Sequence, residues 1–236
     1  LAREMFEVYG LEAPIDKIRK KYPELPLDEV TDILRFARLG RGVSNDVSKF
    51  SFVHRRFAEY FFVQSMLAGE VNIQPDSIPT DSQQRDALVL YCEVAEFEKA
   101  KSIADYCWSV IAEVKNPMDL RSIHCLRFLR DAFRGRKECI AGFQDALKAY
   151  IGEQLTTSSH LISAKLATEA IGLMDKEGME TLLVKSLKLN NPWISEYAVK
   201  SCWHIEDLDN ETKFFLYWYF ESISLIDIIK NHNKYR

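Results

Sequence analysis

The sequence predicts a mainly α-helical protein, with a small helix-and-strand module followed by an α-solenoid of helical pairs. Three observations support this fold class. The chain has only nine glycines and seven prolines in 236 residues, and the prolines stand at the boundaries of apolar-periodic segments. Residues 50–63 change from an apolar period of two to helical spacing. Beyond residue 83, apolar stripes of helical length recur in pairs at intervals of about 35 to 40 residues.

The first module, residues 1–69, is predicted to be of winged-helix type. Pro14 and Pro26 each precede a charged amphipathic segment, and Gly40 and Gly42 end the second of these. The predicted elements are helices at 15–22 and 27–39, a turn at 44–46, a strand at 49–53 and a helix from residue 54 onward. In the second helix, one face carries the apolar residues Val30, Ile33, Leu34 and Ala37.

Residues 70–82 are the predicted linker, because they lose apolar periodicity and carry Pro75 and Pro79. The remainder, residues 83–236, is predicted to be a HEAT-like array of helical repeats. Its predicted helices lie at 83–97, 99–114, 118–134, 137–154, 160–174, 177–189, 192–205 and 210–231.

Composition narrows the class of protein. The net charge of -4 and the pI near 5.8 argue against a general nucleic-acid binder. Five cysteines without close pairs argue against a disulfide framework and favour the cytoplasm. No apolar run approaches the roughly 20 residues of a membrane span, so no membrane partner is predicted. The chain begins without methionine or a signal peptide, and we expect it to be part of a longer protein.

The run that crosses the predicted strand–helix junction carries the most specific pattern. It has the form F-x-F-x-H-x-x-F-x-E-Y-F, and it resembles the winged-helix end of the NTPase module in NACHT-type STAND proteins. Residues 62 and 63, Phe and Val, depart from the small pair usual in that family. The matching residues are Phe50, Phe52, His54, Phe57, Glu59, Tyr60 and Phe61.

The resemblance implies that His54 contacts the phosphate of bound ADP in a closed state, with Arg55 or Arg56 adding positive charge. It implies an upstream NTPase module that binds ATP or ADP with Mg²⁺, a protein trigger on the helical array, and homo-oligomers on activation. The implied setting is signal transduction in innate or antiviral defence. The alternative for His54 is that it only caps or packs the helix start. We expect the aromatic residues to fill the core and Glu59 to pair with a neighbouring base or cap.

No G-x-x-x-x-G-K-[ST] loop occurs in the sequence. We therefore expect this chain to bind no nucleotide cofactor by itself and to be no enzyme, whereas the parent protein would be an ATPase or NTPase. A third interpretation, a helical-array enzyme, lacks a cluster of catalytic residues.

Two further groups of residues invite a functional interpretation. A basic stripe at helical spacing could bind an acidic ligand or a nucleic-acid backbone, but we favour the interpretation that it is a solvated face. Its residues are Arg127, Arg130, Arg134 and Lys137. His124, Cys125, Cys139 and the segment 202–204 lack the paired spacing of zinc ligands, so no metal site is predicted. The aromatic segment 214–220 is expected to be buried, with contact to a partner as the alternative.

The rival interpretation is a non-enzymatic winged-helix and helical-repeat scaffold or a DNA-binding regulator. The segment 27–39 would then be the reading helix. Its acidic residues Asp28, Glu29 and Asp32 would repel phosphates, so binding to nucleic acid is disfavoured.

Overall fold

The computed structural model describes residues 1–43, 46–78, 82–114, 116, 118–156, 160–189, 191–201, 209–210, 212–214, 217–218 and 221. The chain folds into two compact units, Leu1–Glu96 and Phe97–Arg236. Helices dominate both units, and a three-stranded antiparallel sheet lies in the first. The predicted mainly helical class is therefore confirmed.

The first unit begins with a short helix, α1 (Ala2–Glu4), that continues as a π-helical turn at Met5–Tyr9. The remaining elements are β1 (Ala13–Pro14), α2 (Ile15–Lys21), α3 (Leu27–Phe36), β2 (Gly40–Val43), β3 (Asp46–Phe52), α4 (Arg55–Leu67), a 3₁₀ turn at Pro75–Ser77 and α5 (Ser82–Val94). Two residues of the predicted turn, 44 and 45, lie outside the described residues.

Strand β3 is the centre of the sheet, paired with β1 on one side and β2 on the other. Phe50 lies opposite Ala13 of β1 and Gly42 of β2. Phe50 and Phe52 point into the core, where they pack with Ile15, Ile18 and other apolar side chains. The alternating apolar residues of β3 thus bury one face of the sheet against the surrounding helices.

The boundary between the two units falls after Glu96, later than the linker predicted at 70–82. Helix α5 packs against α4 and belongs to the first unit. It buries Ala87, Leu88, Tyr91 and Cys92, and Ile78 within the predicted linker is buried as well. This apolar burial holds the segment in the first unit.

The second unit contains six helices among the described residues, several of which pack against a neighbour in sequence. Their bounds are α6 (Phe97–Glu113), α7 (Leu120–Phe133), α8 (Gln144–Gln154), α9 (Leu161–Ala170), α10 (Lys176–Lys188) and α11 (Pro192–Ser201). The predicted helix at 137–154 is divided, since Lys137–Phe143 forms a 3₁₀ helix before α8.

The aromatic segment 214–220 was expected to be buried, and the described part of it is not. Phe214, Tyr217 and Trp218 are exposed. The other four residues of the segment, and most of the predicted helices beyond residue 201, lie outside the described residues.

Candidate functional site

The candidate site is the junction between β3 and α4, where His54 stands. The β3 end is fixed by Phe52 in the core and by a bond from the Val53 backbone N–H to the Leu39 carbonyl at 3.0 Å. His54 itself is extended (φ -141°, ψ 139°), and α4 begins at the next residue, Arg55. The change of apolar period in the sequence marks this junction correctly.

His54 is the N-cap of α4. Its Nδ1 atom accepts a hydrogen bond from the backbone N–H of Arg56 at 3.1 Å, and its ring is exposed. An imidazole nitrogen that accepts a hydrogen bond carries no proton, so the neutral ring bears its proton on Nε2. The capping role considered from the sequence is therefore present, and it leaves Nε2–H as a donor.

Glu59 lies one turn into α4 and is only 1% exposed. Its Oε1 atom lies 2.8 Å from Nε of Arg55, and its Oε2 atom lies 3.1 Å from Nη1 of Arg56. The expected pairing of Glu59 with a neighbouring base is confirmed. Both arginines considered as phosphate contacts are thus anchored by one buried carboxylate, and Nη2 of Arg55 also lies 3.7 Å from Asp86.

The aromatic residues of the motif divide between core and surface. Phe50 and Phe52 are buried with their rings edge to face at 5.2 Å, and Phe57 and Phe61 are partly buried against the same core. Tyr60 was expected in the core, but it is 50% exposed because it lies on the outer side of α4, with its ring edge toward Phe61.

Phe62 and Val63, which depart from the family pattern, are fully buried. The Phe62 ring stacks on Phe6 at 4.6 Å with nearly parallel planes. The departure therefore places a larger side chain in the core between α4 and the first helical segment.

Two side chains of the basic stripe, Arg130 and Lys137, have polar partners within the second unit. Arg130 pairs with Asp131 at 2.7 Å and with Glu169 of α9 at 2.5 Å. Lys137 donates to the carbonyl of Met174. Burial lowers the pKa of Lys137; the charge of Asp175 acts against this effect, and the charge of Arg134 adds to it.

Arg127 lies on α7 and is half-buried, whereas Arg134 follows α7 and is exposed. The structure does not bring the four basic side chains together as one open cationic face. Two of them, Arg130 and Lys137, already have partners in or next to α9.

The described cysteines, Cys92, Cys107, Cys125 and Cys139, are buried and form no disulfide. Burial raises the pKa of the Cys139 thiol, which makes it a poor nucleophile. Among the described residues, no group of three His, Cys, Asp or Glu side chains is placed to hold a metal ion. The segment 202–204 lies outside the described residues.

The described helices include none that combines the length and apolarity needed to cross a membrane. No protein-family model, curated protein or solved structure matches the chain.

Proposed function

We propose that this chain is the regulatory and ligand-sensing fragment of a signal-transducing NACHT-type STAND NTPase of the cytoplasm, acting in innate or antiviral defence. The proposal rests on the F-x-F-x-H-x-x-F-x-E-Y-F pattern and is supported by the order of elements in the first unit. Two helices, a two-stranded hairpin and a third helix follow one another, as in a winged-helix module. The helices of the second unit would form the HEAT-like sensor.

The structural observation that supports this sequence pattern is the hydrogen bonding of the His54 ring. Because Nδ1 is engaged by the Arg56 backbone N–H at 3.1 Å, the neutral ring has one donor, Nε2–H, on an exposed side chain at a rigid strand–helix junction. A phosphate oxygen is a strong acceptor for such a donor. The residues therefore fit contact with a nucleotide phosphate.

In this proposal the upstream module of the same protein holds ATP or ADP with Mg²⁺ and supplies the hydrolysis. The role of His54 is to donate Nε2–H to a phosphate of ADP and so to stabilise the closed state. A trigger that binds the helical array shifts the equilibrium only by its higher affinity for the open state. Opening would then allow nucleotide exchange and assembly into homo-oligomers.

Two variants of the full-length protein separate the phosphate contact from the cap. His54→Leu removes both the cap acceptor and the Nε2 donor, whereas His54→Asn keeps a capping side chain and removes the imidazole. The assay is signalling activity without the trigger, beside oligomer size in the presence of ADP. Activation by both variants supports the proposal.

Activation by His54→Leu alone would assign His54 to the cap only. If both variants still require the trigger at the wild-type dose, the proposed role of His54 is wrong.

A further inference from the structure

The first unit contains a cleft that nucleotide sensing does not explain. It has a volume of about 410 Å³ and lies between the π-helical turn Met5–Tyr9, the sheet and the start of α4. His54 is not among the residues that line it. The volume falls within the range of small-molecule sites, roughly 300 to 1,000 Å³.

The walls of the cleft are mainly apolar. Met5, Phe52 and Ala58 form its buried part. Leu11 and Val53 also line it, although they are 66% and 42% exposed. A ligand that covered these two side chains would remove apolar surface from water, which favours a ligand with an apolar body.

Among the described residues that line the cleft, two are charged, and both are arginines: Arg41 of β2 and Arg55 of α4. No aspartate or glutamate is among the described residues that line it. Arg41 lies opposite Ser51 of β3 and is exposed, with no ion pair in the described part of the chain. Arg55 is held in place by Glu59, with its Nε atom 2.8 Å from Oε1.

A guanidinium group presents several donors in a fixed plane, which suits a carboxylate or phosphate better than any neutral acceptor. Arg41 can turn its donors toward a bound anion without breaking an ion pair among the described residues. Because Arg55 is already anchored, its contribution is a fixed positive charge at the wall, at little cost in side-chain entropy.

We propose that this cleft binds a small amphiphilic anion, with an apolar body against Met5, Phe52 and Ala58 and a carboxylate or phosphate head on Arg41. The inference does not depend on the nucleotide role of His54.

Isothermal titration calorimetry of the 236-residue chain tests the proposal with decanoate and decyl phosphate, each below its micellar concentration. Decanol and decylamine share the apolar body, while acetate and inorganic phosphate share the head. We expect saturable binding of one or both anionic amphiphiles, and the tighter of the two identifies the head. Comparable binding of decanol or decylamine, or no binding of either anion, would overturn the proposal.

Variants locate the site. Arg41→Ala should weaken the anion roughly tenfold or more, as expected for the loss of a charge-assisted hydrogen bond, and Arg41→Lys should restore part of the affinity. Leu11→Asp places a carboxylate at the exposed lining and should also weaken binding. The matched control is Arg121→Ala, an exposed arginine of the second unit, with unchanged affinity. Equal affinity of wild type, Arg41→Ala and Leu11→Asp would refute the site.

Discussion

Arg55 and Glu59 form a close ion pair one turn apart on α4, with Nε of Arg55 2.8 Å from Oε1 of Glu59. The Glu59 side chain is buried, whereas the Arg55 side chain is 46% exposed. The buried Glu59 carboxylate thus orients the Arg55 guanidinium, which borders the apolar cleft. Arg55 directly follows His54, the N-cap of α4. The proposed phosphate contact of His54 and the proposed anion cleft therefore share a structural support, because Arg55, considered as a phosphate contact beside His54, also lines the cleft.

Glu59→Gln should lower the free energy of unfolding by about 1 to 3 kcal/mol, the range for a hydrogen bond to a charged group. The loss stays below that of a fully buried pair because both arginine partners are substantially exposed. Urea unfolding measures it. Glu196→Gln, which removes an exposed carboxylate paired with Lys200 at i+4, is the control and should leave the midpoint unchanged. Equal effects of the two variants would contradict the structural role of Glu59.

His54→Ala should destabilise the first unit by about 1 kcal/mol, the usual loss when a helix N-cap is removed. His54→Asn should recover most of it, since asparagine is a preferred N-cap residue. Thermal or urea unfolding of the 236-residue chain checks both. A His54→Asn variant as unstable as His54→Ala would mean that the imidazole contributes something other than the cap.

The change of apolar period at residues 50–63 was sufficient to predict the β3–α4 junction, because alternation and helical spacing are both local properties. It also predicted that Glu59 would find a basic partner, since Arg55 and Arg56 lie within one helical turn. The burial of Phe50 and Phe52 followed from the same alternation.

Contacts between distant segments could not be predicted in this way. Sequence spacing placed Val30 and Ile33 on the apolar face of α3, yet both are exposed, and the helix buries Leu27 and Thr31. The cleft residue Arg41 carries no signal of its own, because its site arises only where β2, the π-helical turn and α4 meet. The break between the units depended on α5 packing against α4, which local composition does not encode.

Gly40→Ala should destabilise the first unit by about 1 to 3 kcal/mol, as overpacking of a core does. A Cβ atom at Gly40 would lie 2.2 Å from Cε2 of Phe50, a ring that is fully buried and cannot move aside freely. Gly42→Ala on the same strand is the matched control, because its Cβ would meet nothing within 4 Å. Urea unfolding of both variants measures the difference, and equal midpoints would show that the close contact at Gly40 is not destabilising.

Glu4 should make the stability of the first unit depend on acidic pH. Burial alone would raise its pKa, but hydrogen bonds from Lys21 at 2.6 Å and Tyr22 at 2.7 Å outweigh that effect, and the pKa of Glu4 is lowered. The unfolded chain therefore takes up this proton first as the pH falls. The stabilisation is present above the ordinary carboxyl pKa and is lost as the pH falls through the lower folded pKa.

Urea unfolding between about pH 6 and pH 3, the range in which paired carboxylates titrate, measures this loss. Glu4→Gln should show a smaller decrease over the range than the wild type. The control Glu24→Gln, at an exposed position, should keep the wild-type decrease. Parallel curves for the wild type and Glu4→Gln would contradict the assignment.

Within the basic stripe of the second unit, Arg130 should contribute clearly to the free energy of unfolding, whereas Arg127 should contribute little. Arg130 is 23% exposed and its partner Glu169 is 13% exposed, so water screens their attraction only in part. Arg130→Ala should cost about 1 to 3 kcal/mol, since among the described residues it leaves Glu169 with one remaining cation, Lys165 at 2.9 Å. Arg127→Ala, which breaks no ion pair within the described residues, should stay within about 0.5 kcal/mol of the wild type.

A double-mutant cycle with Arg130→Ala and Glu169→Ala gives the coupling directly. If the pair joins α7 to α9, the double variant should be more stable than the sum of the two single losses implies, because the second substitution removes a charge that the first has left less well paired. Additive losses would mean that Arg130 packs without coupling to Glu169. In that case the guanidinium of Arg130 would be available to an acidic ligand, and titration with polyglutamate would be the next measurement.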